Sequence, residues 1–280
     1  AVGISSQLNK KDMVFGAHRS HSHLLALESS VYKLFAEVLG KNTGHSKGMG
    51  GSMHLIDKSN GFFGSVPIVA GTVPLATGAA LSAKMKKNSQ IAVSYFGDGA
   101  IEEGIVHESL NLASLLKLPI IFVLENNLYS SHMHISLRQP LNFTSRFGIA
   151  NDIPSIIVDG NDIVQVKNAA KKATERARLG KGPTFIEAIT YRFYGHVDWR
   201  EDIDVGINRS KKEIFSWKKR DPIKRLLDAM IDKNFIDHKT FEKLNIDIKS
   251  FIDKEWIKAE NDPYPDKNAL IDRVYYKKGK

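Results

Sequence analysis

Four short runs in the middle of the chain are apolar almost throughout: residues 90–96 (QIAVSYF), 119–124 (PIIFVL), 155–158 (SIIV) and 184–189 (TFIEAI). Each is too short for a helix and is bounded by turn residues, so each predicts a buried strand. Between them the spacing changes to that of helices. Residues 102–117 carry an apolar stripe of Ile105, Leu110, Leu112, Leu115 and Leu116, and 162–179 form a charged amphipathic segment stopped by Gly180. Strand and helix patterns in alternation predict an α/β fold, with a mostly parallel central sheet and helices on both faces. Crossovers should be right-handed. Ligands of such folds sit beyond the carboxyl ends of the strands, so the informative residues should directly follow the strands.

The flanks read differently. The first 85 residues hold a histidine-rich stretch (HRSHSH, 18–23), a helix-like segment (28–39), a glycine-rich run (44–54) and a small-residue helix (71–87). Peripheral helices are expected from about Lys211 onward. No repeat and no linker divides the pieces, so residues 1–280 are expected to form a single domain. An apolar share of 42% supplies a core, which excludes disorder throughout, and no apolar run approaches the ~18–20 residues of a spanning helix. Absence of cysteine excludes disulfides, thiolate metal sites and a cysteine nucleophile, and fits a reducing compartment such as the cytoplasm. The start shows no signal-peptide pattern and no initiator Met, as expected for a fragment or a processed product.

The net charge of +9 changes the picture little. Lysines cluster at 211–220 and 277–280; the first cluster reads as the solvated face of a helix around Ile214, Phe215 and Trp217. No nucleic-acid motif accompanies these charges, and an acidic protein partner suits them at least as well.

Candidate chemistry gathers between Asp98 and Tyr129. One buried strand ends in Gly97-Asp98-Gly99, and the next ends in Glu125-Asn126-Asn127-Leu128-Tyr129. Adjacent parallel strands would bring the Asp98 carboxylate and the Asn127 amide oxygen to one edge. These hard oxygen donors suit Mg²⁺, which completes its octahedron with water and phosphate oxygens. The glycines admit a phosphate to the backbone, and a helix expected to begin near Ala100 would aim its N–H groups at it. Local chemistry therefore points to a metal-bridged diphosphate. The spacing of Gly97, Gly99 and Gly104 misses the dinucleotide fingerprint, and no P-loop occurs.

In combination these segments resemble a known family. GDG, a helix and a strand ending in NN resemble the thiamine-diphosphate motif. YFGDGA (95–100), HESLNLA (107–113), KLP (117–119) and ENNLY (125–129) look like the alpha subunit of the decarboxylating component of 2-oxo acid dehydrogenases. FGAHRSH (15–21), KGMGGSMH (47–54), VDGND (158–162), KGPT (181–184), TYRFYGH (190–196) and DPYPD (262–266) fall in the same order. The resemblance covers essentially the whole chain. It implies a thiamine-diphosphate-binding fold, with thiamine diphosphate and Mg²⁺ as cofactors. Asp98, the Asn127 side chain and the Tyr129 carbonyl would ligate the metal. Gly97, Gly99 and Ala100 would line the diphosphate, Arg19 and His196 would reach phosphate oxygens or the reaction zone, and Ile68 and Val69 would contact the aminopyrimidine. His18 stands where pyruvate-type enzymes carry tyrosine, and the HRSHSH stretch looks more like acetoin dehydrogenase alpha subunits.

The resemblance further implies a beta subunit partner in an assembly of two alpha and two beta chains. The beta chain would bring the glutamate that pairs with the pyrimidine ring. A lipoyl acyltransferase would receive the acyl group, and the substrate would be pyruvate, acetoin or a branched-chain 2-oxo acid. Four features depart from the pattern: fewer residues before Ala1 than is usual, Pro67 in place of a usual glycine, Val197 in place of a regulatory serine, and SSHMH (130–134) in place of a glycine-rich sequence beside the metal. Of His18, His21, His23, His54, His132, His134 and His196, at least two are expected to face the cofactor, with His18, His132 and His196 as catalytic candidates. Protonated imidazoles there would offset carbanion or carboxylate charge. Zinc binding by His21 and His23, or by His132 and His134, lacks a carboxylate in ligand spacing. Glu102 and Glu103 are expected only to begin a helix, and His107 to pack or to lie at an interface. Two other readings share part of this signature: a carboligase like a split transketolase, and a non-catalytic scaffold.

Overall fold

The structure, a computed structural model, describes residues 1–197 and 209–272. The basic cluster at 277–280 lies outside the described residues. The strands are β1 (Met13–Gly16), β2 (Phe62–Ser65), β3 (Ala92–Gly97), β4 (Ile120–Asn126), β5 (Tyr129–Ser130), β6 (Met133–His134), β7 (Ser155–Asp159) and β8 (Thr184–Ile189). The helices are α1 (Val2–Ser5), α2 (His21–Leu25), α3 (Val31–Val38), α4 (Thr72–Met85), α5 (Gly104–Leu115), α6 (Ser145–Ala150), α7 (Ile163–Arg178), α8 (Lys211–Lys218), α9 (Pro222–Asp232), α10 (His238–Glu260) and α11 (Ala269–Asp272).

Six strands form one parallel sheet in the order β2-β1-β3-β4-β8-β7, and β5 and β6 make a small antiparallel hairpin. The four strands expected from the apolar runs are β3, β4, β7 and β8. The sequence pattern missed β1 and β2, whose four-residue runs MVFG and FFGS are short and hold glycine. They matter because the chain leaves β1 for β2 on one side and returns as β3 on the other. The strand order thus reverses between β1 and β3, which opens a crevice at their carboxyl ends.

Alternation along the strands sends side chains to opposite faces. Ile120, Phe122 and Leu124 of β4 join Val73, Ala76 and Ala80 of α4 and Val106 and Leu110 of α5 on one face. Ile121 and Val123 join Leu24, Leu34, Val166, Ala170 and Ala173 on the other. Small residues on α4 and α7 let both helices approach the sheet closely. Asp162 caps α7 by accepting from the N–H groups of Val164 and Gln165, and Gly180, at φ +68°, ends it as expected.

The C-terminal helices lie peripherally. Ile214 and Trp217 of α8 are buried, with Trp217 stacked on Tyr191 at 5.3 Å; Phe215, expected among them, is instead 60% exposed on the outer face. Helix α10 packs on α3 through Trp256 against Phe35. Asp262 accepts hydrogen bonds from Tyr32 and Thr43, so the DPYPD segment ties the C-terminal part to α3 and to the loop that leads from it into the glycine-rich run. Among the described residues no helix is long and apolar enough to cross a membrane.

Candidate active site

A cavity of about 350 Å³ opens at the carboxyl ends of β1, β3 and β4, beside the strand-order reversal. His18 and Arg19 reach it after β1; Gly97, Asp98, Gly99 and Ala100 after β3; Asn127 and Tyr129 after β4. Val69 and His196 complete the expected residues that line it. Two others do not. Ile68 stands outside, 71% exposed, and His132 lies behind His196 with its ring 5.5 Å away. His23, one of the histidines expected near the cofactor, and Ser131, from the segment expected beside the metal, also line it; Tyr95, Glu125 and Arg192 do so without having been expected to. Glu125 carried a signal, as a lone acid at the end of an apolar strand. A larger cavity of about 540 Å³ lies between α7, α9 and the sheet, but its lining is mostly apolar; the smaller one gathers the polar groups.

Each half of the GDG…NN signature has a local cause. Asp98 is 1% exposed. Burial pushes its carboxyl up, and the Arg138 guanidinium paired with it pulls the other way without fully offsetting that push. A Cβ at Gly97 would meet nothing within 4 Å, whereas one at Gly99 would lie 2.2 Å from the Ser130 hydroxyl. Gly99 is therefore needed for the close approach of the hairpin β5-β6. The two asparagines do separate work. Asn126 Nδ2 donates to Glu187 at 2.8 Å and to the Asn142 carbonyl at 3.1 Å, while its Oδ1 accepts from the Leu128 N–H. Asn127 Oδ1 accepts from the Tyr129 N–H at 3.0 Å and keeps a lone pair for the cavity. Leu128, which follows them, has φ +69°, which turns the chain sharply at the strand end.

The helix expected to start near Ala100 starts later. Ala100–Glu102 is a single 3-10 turn, Glu103 stands at the N-cap, and α5 begins at Gly104. Glu102 is more than a helix-opening acid: it pairs with Arg138 and accepts from Gln139. His107 packs edge-on against Phe147, as a packing residue should.

Arg19 Nη2 donates to Nδ1 of His196 at 2.8 Å, and Nε2 of His196 lies 3.3 Å from the Ser131 hydroxyl. Accepting at Nδ1 places the imidazole proton on Nε2. Burial, then Arg19, Arg192, His132 and His18, lower the His196 pKa to about 4; burial and Arg19 also lower that of His18. The expectation of protonated imidazoles is corrected here for these two side chains. They are neutral at pH 7, and Arg19 and Arg192 bring the positive charge. This has a measurable sign. The unfolded chain protonates His196 near 6.5 and the folded chain near 4, so acidification between those values favours unfolding. His196→Gln is expected to flatten the fall in stability over pH 6.5 to 4, read as thermal midpoints across that range; midpoints that fall as steeply in the variant would refute the assignment.

Three other histidines have structural partners. His23 is buried in α2; its Nε2 lies 3.0 Å from Glu125 Oε1 and its ring stacks on Tyr95. Burial pushes the Glu125 carboxyl up, but the charge and hydrogen bond of His23 outweigh it and hold it at about 2. His21 reaches Ser52, and His134 accepts from the Ser136 N–H.

A residue that the sequence pattern did not single out braces the glycine-rich run, whose Met53 lines the cavity. Glu37, fully buried, accepts from the backbone N–H groups of Ser46, Gly48, Gly50 and Gly51 at 2.7–3.1 Å. The glycine-rich run thus wraps a carboxylate of its own chain. Gly48, at φ +75°, has the Gly40 backbone 2.5 Å from where a Cβ would stand.

The dehydrogenase E1 component family model matches residues 1–268. Among curated relatives, the alpha subunit of acetoin:2,6-dichlorophenolindophenol oxidoreductase from Bacillus subtilis is 36% identical, over 100% of this chain and 83% of its own. The alpha subunit of the pyruvate dehydrogenase E1 component from Rhizobium meliloti is also 36% identical, over 96% of this chain and 76% of its own. The mitochondrial counterpart from Pisum sativum is 34% identical, over 99% and 68%. With the parallel sheet and the cavity at its carboxyl edge, these matches place the chain in the dehydrogenase E1 component family, among alpha subunits of the pyruvate and acetoin dehydrogenase type.

Proposed function

We propose that the cavity binds thiamine diphosphate through Mg²⁺ and that the chain, with a beta subunit, cleaves the C–C bond of pyruvate or acetoin and passes the acyl group to a lipoyl carrier. The family works with thiamine diphosphate, and the residues present fit it. Asp98 is a buried carboxylate already balanced by a cation, and the position of a Cβ at Gly97 is open. Asp98, Asn127 Oδ1 and the Tyr129 carbonyl form an all-oxygen donor set suited to Mg²⁺. Gly97, Gly99 and Ala100 would line the diphosphate, and Val69, with Ile68 at the rim, would meet the aminopyrimidine. Bound thiamine diphosphate supplies the nucleophilic carbon and the electron sink for the cleavage.

The chain's own residues bind, orient and hold protons. Arg19 and Arg192 present positive charge to phosphate or carboxylate oxygens. His196, neutral and carrying its proton on Nε2, can donate a hydrogen bond to developing negative charge without adding a cation. His18 flanks it with its ring 6.5 Å away, and His132, outside the cavity, packs against it at 5.5 Å. The alpha-subunit relationship implies a beta partner; two chains of each, and work in a reducing compartment, belong to the same proposal. The observation that carries the reading is the convergence of Arg19, Asp98 and Asn127 from three strand ends on one cavity. The family match favours the dehydrogenase over a carboligase or a scaffold.

Calorimetric titration of thiamine diphosphate with Mg²⁺, into the chain alone and with its beta partner, tests it. Binding that needs the partner, followed by turnover of pyruvate or acetoin, is expected. No binding in either sample would end the proposal.

A further inference from the structure

We propose that Arg138 is a positioning residue that sets the affinity of the site for its divalent cation: its guanidinium holds the Asp98 carboxylate until the cation arrives, then withdraws to Glu102. The proposal rests on the reading of Asp98 as a metal ligand. Arg138 follows the turn Ile135–Leu137 and is 8% exposed at its side chain. One Nη pairs with Asp98 and the other with Glu102. Its Nε lies 3.3 Å from the Met133 carbonyl, which ties it to the hairpin. A carboxylate as buried as Asp98 needs a counter-ion, and a charge-assisted hydrogen bond from a guanidinium is a strong one.

The arrangement is built for exchange rather than for permanent pairing. Arg138 bridges two carboxylates, so losing Asp98 leaves it with a partner. Glu102 is 34% exposed at its side chain, so a cation centred on it keeps partial solvation. Gln139 Nε2 donates to the same Glu102 oxygen at 2.8 Å, and Arg146 holds Gln139 through its Oε1 at 2.6 Å, which fixes Glu102 in place. Asp98 can receive a divalent cation only if the guanidinium moves off, because two cations on one carboxylate repel. Each cation thereby weakens the other's hold on Asp98, a coupling that runs both ways.

Two substitutions with opposite effects test this in the chain with its beta partner, by calorimetric titration of Mg²⁺ at saturating thiamine diphosphate. Arg138→Gln removes the competitor and is expected to tighten Mg²⁺ binding by about tenfold, within the usual range of coupling between sites. Glu102→Gln removes the retreat and is expected to weaken binding several-fold. Arg138→Lys, which keeps the charge without the fork, should fall between wild type and Arg138→Gln. Damage to the fold would weaken Mg²⁺ binding in every variant and cannot produce a tighter one. Without Mg²⁺, Arg138→Gln should melt lower than wild type and recover more on Mg²⁺ addition. Unchanged or weaker Mg²⁺ binding in Arg138→Gln would overturn the proposal. No Mg²⁺-dependent binding in the unsubstituted complex would overturn the cofactor reading itself, and this inference with it.

Discussion

Replacing Asp98 by Asn is expected to weaken Mg²⁺-dependent binding of thiamine diphosphate by roughly a hundredfold to a few thousandfold, the equivalent of about 3–5 kcal/mol for removing one charge from a buried pair. The proposed donor set has a single carboxylate, so its charge has no substitute among Asn127 Oδ1 and the Tyr129 carbonyl. The fold should tolerate the change. Arg138 keeps Glu102, and an amide at 98 no longer has to be buried as a charge, so chemical unfolding of the cofactor-free chain should move by about 1 kcal/mol or less. Calorimetry on the complex and denaturant unfolding of the chain separate the two effects. A dissociation constant within threefold of wild type would remove Asp98 from the metal site, whatever the unfolding curve showed.

The second large effect lies away from the proposed metal. Glu37→Ala should destabilise the chain by about 3–5 kcal/mol, because four backbone N–H groups lose the carboxylate that satisfies them and a fully buried site is left empty. Glu37→Gln keeps one acceptor oxygen but turns a donor toward two of those N–H groups, so an intermediate loss of about 2 kcal/mol is expected. Denaturant unfolding measures both, and hydrogen exchange of the Ser46, Gly48, Gly50 and Gly51 amides locates the damage. Wild-type stability in Glu37→Ala would show that solvent satisfies those amides as well as the carboxylate does.

The central sheet was legible because β3, β4 and β8 are buried on both faces and therefore read as continuous apolar runs, and the edge strand β7 carries an apolar run although it is mostly only partly buried. β1 and β2 were not, since four residues with a glycine among them carry no periodicity. The GDG…NN edge was legible for a different reason: hard oxygens and glycines at two strand ends are a chemical signature that does not depend on knowing the neighbours. What stayed hidden was every contact between groups brought together only by the fold. Arg138 meets Asp98 across 40 positions and His23 meets Glu125 across 102, and nothing local marks either pair. The protonation of His18 and His196 was misread because residue type gives the ordinary pKa, while burial and Arg19 decide the actual one. Ile68 was expected to meet the aminopyrimidine, but it stands outside the cavity, because its exposure depends on how the turn before α4 projects.

The carboxylate inside the glycine-rich run bears on how this chain could acquire a new substrate. A loop whose amides are already committed to Glu37 is fixed, and variation there would be selected against for stability before any gain in selectivity could register. The hairpin of β5 and β6 is different: it has two residues per strand, Ser131 and Met133 are exposed, and Met133 meets Arg138 through its carbonyl, not its side chain. Diversification aimed at larger or branched acyl groups therefore has most room at Met133, whose side chain can change without loosening the scaffold, whereas Ser130 packs on Gly99 and Ser131 touches His196.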